Sequence, residues 1–383
     1  MNTTKKTKEI IRQEQVKVNR SAQNIETIDD TGEILVDIKP SGRKENWSKL
    51  KIQSRKVWRL FKIAQGKDNS VISADALQRL YESGDILKFK CNYTKGTRKL
   101  HQAWFSRNKF DPLSAHRKGI LMFAQTSRVM DVILERNPNT RFIFLTCTTK
   151  NVKAPDIAKE VDRYYVAFRR IFGTGKEVIV DARRFNKQID GTIKELEVTY
   201  NKKEDSYHIH AHIVLAVKST YFLPQNYMTQ KKIRQLWAKA ADLNYDPFVF
   251  IETIKGYGNA LKKAVAEISK YPTKPTSILS LSEEQGAEVL ANLQRALFNR
   301  RLITFTGIFR KIRKELKLQD IENHNLIHID EEGISEDEKG DHIEFHIFRW
   351  SSSLREYVCL PYKVVEEMDA EEREKQVQAK LAG

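Results

Sequence analysis

Apolar residues change period several times along the chain, and each change marks an element. From Trp47 to about Leu87 they recur at helical spacing, as in VWRLFKIA and ALQRLYESG, and Gly84 suits a helix end. KFKCNYTKG reads as a short strand and turn. A helical pattern runs from Arg117 to Arg136 until NPNT breaks it, and RFIFLTCTT (141–149) then reads as a buried strand. Ala154 to Phe172 has the alternation of an amphipathic helix. GTIKELEVTYN (191–201) and SYHIHAHIVLAV (206–217) are two strands joined by the polar turn KKED. Helical stretches are expected at Gln230–Asp242, Asn259–Ile268 and Leu279–Leu318, with the apolar strand PFVFIETI between the first two. HIEFHIFRW and REYVCLPYKVV are strand-like segments near the end. A strand, a crossing helix and then a hairpin predict an α+β fold with a mostly antiparallel sheet flanked by helices.

The pattern also divides the chain. Residues 1–45 are polar and read as an arm, 46–90 as a basic helical accessory region, 91–320 as the main domain, and 321–383 as an acidic C-terminal region. Hydrophobic content of 40% and charged content of 31% are ordinary for a globular protein, and no run approaches the roughly 18 apolar residues of a membrane span. Cys91, Cys147 and Cys359 are too far apart for a disulfide framework or a zinc knuckle, which points to a reducing cytoplasm. The net charge of +17 is unevenly spread. From Asp320 onward 17 acidic side chains face 7 basic ones, so the first 319 residues carry +27. An excess of that size favours a polyanionic partner, nucleic acid above all.

Candidate chemistry concentrates in two places. In a strand, His208, His210 and His212 share one face, with neighbours roughly 6.5–7 Å apart. Two such imidazoles can converge on one divalent ion, and the apolar continuation Ile213–Val217 would hold them rigidly. Glu197, on the preceding strand, either adds a carboxylate to that ion or pairs with a lysine at the strand edge. Mixed imidazole and oxygen ligation suits Mn²⁺ or Mg²⁺ better than a closed zinc site. The second place is Glu267-Ile-Ser-Lys270-Tyr271-Pro-Thr-Lys274. Four residues separate Glu267 from Tyr271, so a helix would set them on one face, and Pro272 ends that helix at the phenol. Lys270 and Lys274 flank it as charges suited to phosphate.

Taken together these motifs resemble the HUH endonucleases, and most closely the rolling-circle replication initiators of small Gram-positive plasmids. FLTCTTKNV (144–152) is similar to the family's first motif, HIHAHIVLAV (208–217) to its metal motif, and EISKYPTK (267–274) to its nucleophile motif. The likeness covers roughly residues 85–320. It implies an HUH endonuclease domain in which Tyr271 attacks a scissile DNA phosphate, leaving a 5′-phosphotyrosine and a free 3′-hydroxyl. It also implies a Mn²⁺ or Mg²⁺ ion held by His210 and His212, with His208 a third ligand or a partner orienting the others. Glu267 would act as general base, and Lys270 and Lys274 would hold phosphates. Expected partners are plasmid origin DNA, as a single strand or hairpin, and a host helicase and polymerase; an oligomer is compatible. One departure stands out. Where the family often carries a cysteine cluster, this chain has Ser106, Asp111 and Ser114, which removes any thiolate metal site there.

Two other readings share some of these features. A relaxase or single-tyrosine transposase would keep the fold, but many relaxases place the tyrosine before the histidines, whereas here it follows them. A metal oxygenase or hydrolase built on a His-x-His strand usually needs a glutamate just after the histidines, and Ile213–Val217 offers none.

Overall fold

The computed structural model describes residues 32–38, 42–254, 265–269, 275–321 and 340–360. Short strands β1 (Asp37–Ile38) and β2 (Lys44–Glu45) lead into helices α1 (Trp47–Lys67) and α2 (Ala74–Glu82). Strands β3 (Ile86–Asn92) and β4 (Thr97–Ala103) precede α3 (Pro112–Arg136), β5 (Arg141–Thr148), α4 (Ile157–Phe172) and α5 (Val180–Asn186). The long hairpin β6 (Ile189–Asn201) and β7 (Ser206–Val217) follows. Then come α6 (Gln230–Ala240), β8 (Val249–Ile254), α7 (Glu283–Leu297), β9 (Ile303–Phe305), α8 (Gly307–Glu315), β10 (Ile343–Ser351) and β11 (Glu356–Cys359). The architecture is α+β, and every strand pairing among the described residues is antiparallel. No helix among the described residues is long and apolar enough to cross a membrane.

Contacts gather the described chain into two compact units that interleave along the sequence. One takes residues 32–52, 84–104 and 340–360; the other takes 53–83 and 105–321. The first is a four-stranded sheet in the order β11-β10-β3-β4. Its centre is aromatic: Phe89 is buried and meets Trp47 and Phe348 edge-on, with ring centroids 6.2 and 5.7 Å away. Strand β10, from the acidic end of the chain, pairs through Ile343–Arg349 with the whole of β3, from near the beginning.

The second unit is a five-stranded sheet in the order β8-β5-β7-β6-β9. Its two faces sort by alternation. Ile143, Leu145 and Cys147 of β5 and Ile209, Ala211, Ile213 and Leu215 of β7 point into the larger core, packed by Ile157, Val161, Tyr164 and Phe168 of α4, and by Leu236 and Trp237 of α6. Burial pushes the Cys147 thiol up, which makes it an inert core residue. Phe144, Val214 and Ala216 point the opposite way, into a smaller core with Met122, Val129 and Ile133 of α3 and Phe309 and Ile312 of α8. Val265 and Ile268, from the segment just before Tyr271, belong to this second layer.

Several boundaries differ from those read in the sequence. Helix α3 starts five residues earlier than its periodicity suggests, because Asp111 caps it and Pro112 occupies its first position. The Leu279–Leu318 stretch is not one helical region. Asn299 takes a positive φ of 54° after α7, and β9 then adds to the sheet edge before α8 begins. The expected helix over Asn259–Ile268 lies mostly outside the described residues; Val265–Ile268 is helical.

Candidate metal and strand-cleavage site

The β6–β7 hairpin sets the site by register. Its turn closes Asn201 against Ser206, with Asp205 at a φ of 46° and its carboxylate accepting the Tyr200 hydroxyl at 2.8 Å. Counting back from that turn, Thr199 faces His208, Glu197 faces His210, and Glu195 faces His212. On the other side of β7, Thr148 faces His210 and Thr146 faces His212. Directly opposed residues in an antiparallel pair share a face. The three histidines, the two glutamates and the three threonines therefore stand on the side of the sheet covered by α3 and α8. The odd-numbered Ile209 and Ala211 are wholly buried on the other side and pin the strand.

Within that row Glu197, His210 and His212 converge. One ligand atom from each lies within 4.8 Å of the others. His210 Nε2 is 2.8 Å and His212 Nε2 is 3.6 Å from the same Glu197 oxygen. The glutamate side chain is 4% exposed and the imidazoles 14% and 13%, so the cluster is nearly dry but still reachable. The His210 and His212 rings sit 4.8 Å apart, edge to face. Two contacts hold His212: Phe144 stacks on it at 5.6 Å, and its Nδ1 lies 3.2 Å from the Thr146 hydroxyl. Fixing the second ring nitrogen in this way is how proteins aim an imidazole at an ion. His210 Nδ1 is buried without a hydrogen-bond partner among the described residues. A nitrogen and oxygen donor set this close, with a buried ring nitrogen left over, fits a divalent cation held by Glu197, His210 and His212.

His208 lies outside this group. The loop after β5 pairs Val152 with Tyr207 in both directions, at 3.0 and 2.8 Å, which brings Asn151 to His208. Asn151 donates its amide to Glu204 at 2.8 Å, and its oxygen meets His208 Nδ1 at 2.9 Å. The shared proton therefore sits on Nδ1. Burial and the neighbouring His210 push the His208 pKa down, so the ring is held neutral. Its place is beside the cluster.

Glu267 is half-buried in the helical turn 265–268. Lys270, Tyr271 and Lys274 lie outside the described residues. The turn 265–268 is anchored on the histidine-bearing side of the sheet by Val265 and Ile268, 1% and 0% exposed. Ser269, two residues before the tyrosine, packs its carbonyl so close to Gly119 of α3 that a Cβ at 119 would sit 3.0 Å from it.

Three residues beside this cluster were not singled out in the sequence: Glu195, Thr146 and Asn151. Glu195 is 1% exposed and stands in the row of His212. Its signal was present in the sequence as a Glu-x-Glu alternation opposite His-x-His, readable by counting register across the KKED turn.

The profile of a family described as "Replication protein" matches residues 97–358. The chain belongs to that family. It is 30% identical over 335 residues to a protein rep of Streptococcus pneumoniae, covering 87% of this chain and 98% of that protein. A replication protein of Staphylococcus aureus is 34% identical over 239 residues, 61% of this chain and 96% of its own length. A protein rep of Bacillus amyloliquefaciens is 30% identical over 341 residues, 85% and 97% of the two chains. No solved structure matches. The rolling-circle initiator family that the three motifs resemble is thus the family of the chain.

Proposed function

We propose that this replication protein binds the origin of its plasmid, nicks one DNA strand through Tyr271, and stays attached to the 5′ end until it terminates the round. The observation that carries the reading is the convergence of Glu197, His210 and His212 on the side of the sheet where the Val265–Ile268 turn, three residues short of Tyr271, is buried. A Mn²⁺ or Mg²⁺ ion bound there would polarise the phosphate oxygens and stabilise charge as it builds.

The protein's own residues have four tasks. Glu197, His210 and His212 present oxygen and nitrogen lone pairs from rigid strands, so nothing must reorganise when the phosphate arrives. Thr146 and Phe144 fix the tilt of His212. Tyr271 forms a bond from its phenolic oxygen to phosphorus while the bond from phosphorus to the 3′ oxygen breaks; the phenolic proton leaves and the 3′ oxygen gains one. An ordinary phenol costs about 4 kcal/mol to ionise at pH 7, and Lys270 and Lys274, beside it in the chain, offset part of that by drawing the phosphate and favouring phenolate. Glu267, one helical turn before the tyrosine, takes the proton from water or from a returning hydroxyl at termination. Exchange of one phosphodiester for a phosphotyrosine preserves the bond energy, so the strand can be rejoined and the 3′-hydroxyl can prime a host polymerase.

The test is direct. Supercoiled plasmid carrying the cognate origin is incubated with the protein and Mn²⁺, then run under denaturing conditions. The wild type should yield a protein–DNA adduct and Tyr271→Phe none, while both bind the origin equally. An adduct that persists in Tyr271→Phe removes the assignment.

A further inference from the structure

The edge strand β8 and the residue just before it carry two large apolar side chains that the cores do not use. Phe248 is 63% and Phe250 42% exposed, whereas Val249 between them is 1% exposed in the larger core. Alternation puts both rings on the same face as the histidines. Their register is more telling. Phe250 faces Thr146, which faces His212; the Thr148 amide and hydroxyl both donate to the Phe248 carbonyl at 3.1 Å, which sets Phe248 against Thr148 and His210. Each exposed ring thus heads a row that ends in a metal-cluster histidine two strands away, roughly 10 Å at the usual strand spacing. Exposed apolar side chains on an edge strand are an aggregation hazard that a fold keeps only for use.

A cation and a third ring lie close by in the chain. Beyond Phe248, Tyr245 lies under Lys150, whose ammonium is 4.4 Å from the ring centre and whose backbone amide donates to the Tyr245 hydroxyl at 2.8 Å. Both line a cavity of about 170 Å³ of mixed charge, where Arg163, Glu160, Asp242 and Asn244 also stand. At the other end Glu252, exposed on the same face, closes the run with a negative charge.

We infer that Phe250 and Phe248 form a stacking platform for the unpaired bases next to the scissile phosphate, with Tyr245 and Lys150 guiding the strand away from Glu252. The inference rests on the strand-nicking reading for the position of that phosphate. The occupant is single-stranded DNA: rings spaced along one strand suit successive base faces, the cation at one end suits phosphate, and a duplex hides its base faces.

The experiment uses the full-length protein and a fluorescein-labelled oligothymidylate of about 20 nucleotides. Phe248→Ala/Phe250→Ala should lower single-strand affinity by about tenfold or more, the usual scale for lost base stacking. Calorimetric Mn²⁺ binding should not change, which shows that the sheet is intact. Phe250→Tyr should retain affinity and Phe250→Leu should lose it, separating stacking from mere apolarity. Single-strand affinity within twofold of wild type in the double alanine variant overturns the inference. So does a leucine as good as tyrosine, or a change in sedimentation with DNA affinity unaltered, which would make this face a contact between copies. If the wild type binds through these rings but forms no adduct, the platform stands and the nicking reading falls. If the double alanine variant binds and forms adduct normally, the reverse holds.

Discussion

Asp111 shows how one residue can replace a whole motif. It sits where the resemblance drawn from the sequence leads one to expect a cysteine, and it is wholly buried. Its carboxylate accepts the hydroxyls of Ser54 at 2.8 Å, Ser106 at 2.8 Å and Ser114 at 2.7 Å, together with that of Ser83. The Leu113 amide adds a fifth bond at the start of α3. Two of those serines occupy the other cysteine positions, so a hydrogen-bonded carboxylate ties together the same points of chain that thiolates would. Removing the acceptor would strand three hydroxyls and an amide in a dry interior, since Ser114 also reaches the Ser106 carbonyl, at about 1–3 kcal/mol for each donor that finds no new partner. Asp111→Ala should therefore cost at least about 3 kcal/mol, which for a unit of this size lowers the calorimetric midpoint by about 6–12 °C. A midpoint within about 2 °C of wild type would show that the network is slack. From the sequence only the loss of the cysteines was visible; the compensation needed Ser54 and Ser83, 57 and 28 residues upstream, and no periodicity links them to Asp111.

Among the elements, the β6–β7 hairpin was the most legible and the stretch from α7 to α8 the least. Alternation of His208, His210 and His212 announced one face, and a polar turn of known length set the register that aligns Glu197 with His210. Both clues are local. The edge strand β9 has three residues, and its place beside β6 comes from tertiary pairing, so the basic stretch around it read as continuous helix. In the same way β10 finds β3 some 250 residues earlier, a partnership no local pattern records. The hairpin also separates the roles of its histidines. Glu197→Gln keeps the shape but removes the charge that both His210 and His212 approach, so Mn²⁺ affinity should fall by more than tenfold on titration calorimetry. His208→Ala should leave it within about threefold, because that ring is held by Asn151 outside the cluster. Equal losses in the two variants would place His208 among the ligands.

At the scale of the whole molecule the charge distribution governs how the protein meets DNA. The net +17 combines +27 over the first 319 residues with a deficit beyond them, and much of that deficit falls on Asp330, Glu331, Glu332, Glu336, Asp337 and Glu338. Binding to duplex of arbitrary sequence should be carried by phosphate contacts and the release of their counterions, whose signature is a logarithmic slope of about −0.9 per contact. With six or more contacts, affinity should drop by about 10³ or more between 50 and 200 mM salt. Six carboxylates in one short run repel a polyanion, so replacing them by amides should raise the association rate at 50 mM salt. Near 1 M, where the Debye length is only about 3 Å, the variant and the wild type should converge. Stopped-flow association at several salt concentrations measures both effects. A slope shallower than about −2, or a rate difference that survives 1 M salt, would mean that the basic excess serves solubility and that DNA is engaged by shape and stacking at the sheet instead.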